Sequence, residues 1–97
     1  MARFDLYQDG ENFLLDVQAD TLDDLNTCVV VPVRLPHTAP MPARRLNPTF
    51  EIAGGRYIMV TQFIAAVPES ELGQVIGSLS EHRDAITAAL DMLFQGF

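Results

Sequence analysis

The chain has one cysteine, no lysine, and no apolar run of the length that a membrane-spanning helix needs, about 18 residues or more. Each shortage excludes something. A single thiol, Cys28, cannot close an internal disulfide, so the fold must hold without staples. Cys28 heads a β-branched run, where a free, buried, unreactive thiol is the ordinary outcome. The first residues, Met1-Ala2-Arg3-Phe4-Asp5, carry charge and no apolar stretch, so no signal peptide is expected. These features together point to the reducing cytoplasm and away from a membrane.

Positive charge is the other scarcity. Six bases, all arginine, face 13 acids, for a formal net charge of −7. An acidic body repels phosphate, so direct nucleic-acid binding is not expected. What remains is apolar material, 48% of 97 residues, enough for one modest core and one domain over residues 1–97.

The first two thirds read as strands. Phe4 and Leu6 alternate with polar neighbours, Asp9-Gly10 signals a tight turn, and Phe13, Leu15 and Val17 resume the alternation. Residues 20–27 are acidic and polar apart from Leu22 and Leu25, which predicts a loop. The run Cys28 to Val33 is a strand with Pro32 inside it, and proline donates no ladder hydrogen bond, so an edge or a bulge is expected there. Four prolines between 36 and 48 (Pro36, Pro40, Pro42, Pro48) predict a long, stiffened surface loop. Thr49 to Ala53, a Gly54-Gly55 turn and a central return strand from Arg56 to Ile64 read as a second hairpin.

Helix signals come late. Pro68 suits the start of a short helical turn over Glu69 to Leu72. Ser80 is a candidate N-cap, and Ile86, Ala89, Leu90, Leu93, Phe94 and Phe97 fall on one helical face, with Gly96 as the terminating residue. The class is α+β: a bent antiparallel sheet closing into a small barrel, then one helix.

No catalytic constellation emerges. His37 and His82 lack cysteines or carboxylates at metal-ligand spacing, and Ser70, Ser78 and Ser80 sit in no nucleophile turn. Neither a metal nor a cofactor is expected. Arg34, His37, Arg44 and Arg45 could in principle form a ribonuclease site, since arginine stabilises phosphoryl charge and histidine shuttles protons, but their spacing has no specificity. The ending Phe94-Gln95-Gly96-Phe97 is different, because chain ends are usually polar and frayed. Phe97 either packs back, seals a dimer or meets a partner, whereas the position of Phe94 suggests a partly buried ring.

The stretches Asp16-Val17-Gln18-Ala19-Asp20, Val30-Val31-Pro32, Ala65-Ala66-Val67-Pro68 with Gly73 and Leu79-Ser80, and Leu93-Phe94-Gln95-Gly96-Phe97 together resemble CcdB, the toxin of CcdAB toxin–antitoxin modules. The similarity spans nearly the whole chain, with small length changes near Gly10 and in the 36–48 loop. It implies a CcdB/Kid-like, SH3-like barrel with a five-stranded antiparallel sheet, a small second sheet and a C-terminal helix. It also implies a homodimer, not an enzyme, that poisons DNA gyrase through the gyrase A subunit and is neutralised by a CcdA-like antitoxin tail. Carried over, the family's gyrase contacts fall on Thr21, Leu22, Asp91, Phe94, Gln95, Gly96 and Phe97. Three depart from the family pattern: Gln95 replaces a tryptophan, Phe97 an aliphatic residue, and Asp91 an amide.

Overall fold

A computed structural model of the chain describes residues 2–39 and 42–96, so Pro40 and Phe97 lie outside the described residues. The described strands are β1 (Asp5–Asp9), β2 (Asn12–Asp16), β3 (Thr27–Arg34), β4 (Thr49–Ile52), β5 (Gly55–Met59), β6 (Ala65–Pro68) and β7 (Val75–Ser78), followed by the helix α1 (Arg83–Gln95). All the pairings are antiparallel.

The long strand β3 organises the sheet. Along one side it pairs with β2, Asp16↔Val30 through Phe13↔Val33. On the other side its first half pairs with β6 and its last two residues with β5. The seven strands form one curled antiparallel sheet in the order β4-β5-β3-β2-β1-β7, with β6 also paired to β3 beside β5. Sheet and helix enclose a core that includes Leu6, Phe13, Leu15, Val31, Val33, Met59 and Ile86.

Several expectations are corrected here. Pro32 lies inside the sheet, opposite Leu14, at neither an edge nor a bulge. It is tolerated because it sits where the neighbour changes from β6 to β5, and there its carbonyl accepts from the Val60 amide at 2.8 Å. The anticipated strand 56–64 stops at Met59: Thr61–Phe63 is a 3-10 turn, and the next strand, β6, begins only at Ala65. The buried Thr61 hydroxyl donates to the Leu46 carbonyl, which fixes this crossover. The hairpin turn is one residue earlier than read: Ile52 pairs with Gly55, and Ala53 (φ 51°) and Gly54 (φ 80°) form the turn. In the first hairpin Asp9 pairs with Asn12, leaving Gly10 and Glu11 as its tip.

Pro68 closes β6, and Glu69–Glu71 forms a 3-10 turn after it. Strand β7 had no sequence signal, because all four of its residues are exposed and its register with β1 is irregular. Ser80 is no N-cap: it opens a 3-10 turn, Ser80–His82, and α1 starts at Arg83 without a side-chain cap. Gly96 terminates α1 as expected, at φ 81°, its amide donating to the Met92 carbonyl at 3.1 Å.

Candidate functional site

The helix tip is built by a mismatch of lengths. Thirteen residues give α1 a length of roughly 20 Å. Its buried anchors, Ile86 and Ala89, lie in the first half and belong to the core, and the helix packs beside the Thr61–Phe63 and Ser80–His82 turns. Past them the apolar stripe outruns the core. Leu90, Asp91, Met92 and Leu93 are half-buried, and Phe94 is 70% exposed. The expectation of a partly buried Phe94 is thus corrected: the ring projects into solvent beside the exposed Gln95 and Gly96.

Thr21 and Leu22 stand on a different element, the 3-10 turn Asp20–Leu22 between β2 and β3. Thr21 is exposed, and Leu22 and Leu25 are each 46% exposed. The helix brings Asp91, Phe94, Gln95 and Gly96 together, and the turn brings Thr21 and Leu22 together. Among the described residues no hydrogen bond joins the two groups. The turn is tethered to the N-terminal segment, where Asp20 Oδ1 accepts from the Arg3 amide at 2.7 Å.

Strands β1, β2 and β3 carry a buried group of titratable side chains, Tyr7, Asp16 and Cys28. Asp16 is 3% exposed, and burial raises its carboxyl above the usual range despite a 2.9 Å hydrogen bond from the Gln18 amide. Burial, reinforced by the Asp16 charge, pushes the Cys28 thiol up to about 12. Burial also takes the Tyr7 phenol up to about 12, again with Asp16 contributing.

The remaining polar candidates are dispersed. His37 Nε2 lies 3.3 Å from Glu11 Oε1, with both side chains well exposed. Sequence reasoning missed this pair because Glu11 belongs to the distant β1–β2 turn. The Arg34 guanidinium lies over the Phe63 ring at 5.3 Å, a contact no local pattern announces. Arg44 and Arg45 are exposed on the 42–48 segment. The His82 ring lies tilted against Phe50 at 4.8 Å between centroids, beside Glu81 at 3.6 Å. No group of three or more metal-ligating side chains occurs among the described residues. No helix among them is long and apolar enough to cross a membrane.

A curled antiparallel sheet closed by one terminal helix defines the architectural class. The chain shares it with a solved structure described as "Endoribonuclease in complex with its cognate antitoxin from Mycobacterial species". The TM-score is 0.75 at 17% sequence identity, over 97% of this chain and 94% of that one, a likeness of fold. The sequence itself goes further. The family described as "CcdB protein" matches residues 3–96, and the chain belongs to the CcdB family, the toxins of CcdAB toxin–antitoxin modules.

Proposed function

We propose that this toxin is a non-enzymatic poison of DNA gyrase. It docks on the gyrase A subunit through Asp91, Phe94, Gln95 and Gly96 at the end of α1, with Phe97, which lies outside the described residues, and with Thr21 and Leu22. One observation carries the reading: Phe94 holds a phenyl ring 70% exposed at the end of a helix whose other large apolar side chains turn toward the body. Burying such a ring contributes about 2 kcal/mol, a gain that a partner surface can collect. Family membership supplies the direction. The toxin acts as a homodimer in the cytoplasm, and a CcdA-like antitoxin tail holds it inactive. The antitoxin-bound state of the structurally similar endoribonuclease supports that partner.

The test is purified protein with gyrase, plasmid and ATP. Linear, cleaved DNA is expected, and Phe94→Ala should weaken the effect at least roughly thirtyfold, the share of an interface anchor, without lowering Tm. Gln95→Trp should strengthen it by restoring an aromatic anchor. Normal supercoiling with no cleavage at micromolar protein rejects the reading.

A second reading, cleavage of RNA, has one observation in its favour: His37 faces Glu11 at 3.3 Å, an imidazole beside a carboxylate. Sequence-selective cuts in a long RNA that vanish with Arg45→Ala would establish it. Gln95→Trp should leave such cuts unchanged.

A further inference from the structure

The loop that carries Leu22 has no hydrophobic anchor. Every residue from Ala19 to Thr27 is exposed, so no buried side chain of its own fixes the height or direction of Leu22 above the sheet. Its backbone bonds are local, Leu22 amide to Ala19 carbonyl at 3.0 Å, Asp23 to Asp20 at 3.2 Å and Leu25 to Leu22 at 3.2 Å. These shape the turn but do not tie it to the body. Ties to the body are polar. Asp20 accepts from the Arg3 amide at one end, and the Asn26 carbonyl accepts from the Glu69 amide at 2.8 Å at the other.

Between those ends the connection is made by Gln18. Its Nε2 donates to the Leu22 carbonyl and to the Thr27 carbonyl, both at 3.2 Å. Its Oε1 accepts from the Val29 amide at 3.2 Å, inside β3. Its own amide donates to the buried Asp16 carboxylate at 2.9 Å, which fixes the backbone from which the side chain springs. A flipped amide would set its oxygen against two carbonyl oxygens, so the donor and acceptor ends are chemically determined.

The geometry points to Gln18 as the positioning residue of the Thr21–Leu22 contact: its side-chain amide clamps the exposed loop to β3 and presents Leu22 in a pre-formed orientation. A loop ordered before binding avoids the conformational cost of ordering it on the partner. This deepens the gyrase-docking proposal and rests on it for the identity of the partner, whereas the clamp itself can be read without any partner.

Gln18→Met keeps length and removes every side-chain hydrogen bond, and Gln18→Glu keeps the acceptor but loses both donors. In the full chain, the backbone order parameters of Leu22 to Leu25 should fall from the rigid range near about 0.85 to below about 0.6 in either variant, with β2 and β3 unchanged. Affinity for the gyrase A subunit should drop roughly tenfold. Leu22→Ala should then cost less in the Gln18→Met background than in the wild type, while Phe94→Ala costs the same in both. Order parameters that stay high overturn the proposal. So do losses from Gln18→Met and Leu22→Ala that simply add. Failure of both variants to fold assigns Gln18 to the fold and overturns it too. If the unaltered chain does not bind the A subunit, the docking proposal falls and the order parameters alone decide the clamp.

Discussion

Asn47 donates to the carbonyl of Met59 at 3.0 Å, and this bond ties the proline-rich segment to the end of β5. The same amide donates to Gln62 Oε1 at 2.7 Å, and Asn47 Oδ1 accepts from the Ala43 amide at 2.9 Å. Asn47 is buried, so its loss would leave the carbonyl of the buried Met59 without this partner. Asn47→Ala should therefore destabilise the protein by about 2 kcal/mol, roughly 10 °C in Tm. Thermal unfolding followed by circular dichroism reads this, with Gln62→Ala, at an exposed position, expected to cost far less.

Asp16 gives stability a pH slope of defined sign. Burial raises its carboxyl in the fold above the value of 3.8 it has in open chain. The charged form is thus disfavoured by folding, so this contribution is full below 3.8 and is lost as pH rises through the raised value. Asp16→Asn keeps the acceptor for the Gln18 amide and removes the charge. Its Tm should exceed that of the wild type by a few degrees at neutral pH, and the difference should close as pH falls toward 4. A difference that is flat with pH would remove the charge from the explanation.

Cys28 is fully buried, with its thiol pushed from 9.0 up to about 12, so about a thousandfold less thiolate forms than from an exposed cysteine. A thiol reagent at pH 8 should label the native protein only as fast as it opens. Adding denaturant should bring labelling to the rate of a free thiol. Rapid native labelling would contradict this burial.

Ala53 holds a left-handed backbone at φ 51°, next to Gly54 at φ 80°, in a turn whose geometry favours Asn-Gly. Ala53→Asn should raise stability by about 0.5–1 kcal/mol, since asparagine tolerates this conformation better than alanine. The urea midpoint should rise at unchanged slope.

Local signals made much of this legible. The alternation of Phe13, Leu15 and Val17 and the turn at Gly10 announced the first hairpin, because side-chain direction in a strand follows sequence parity. The i, i+3, i+4 spacing from Ile86 and the placement of Gly96 announced α1 and its end. Composition alone also supplied the charge of −7 and the lack of disulfides. The order of short motifs was enough to carry the family.

Tertiary structure decided the rest. Pro32 could not declare from its neighbours that the sheet branches beside it, and Val75 to Ser78 form a strand only because β1 is there to pair with. The periodicity that placed Phe94 on the apolar stripe knows nothing of where the core stops, so its exposure was set by the length of α1 relative to the sheet. The clamp of Gln18 on Leu22 and Thr27 likewise exists only once β2 and β3 lie side by side. Sequence fixes which side chains share a face of an element. Only packing determines which part of that face meets protein and which meets water.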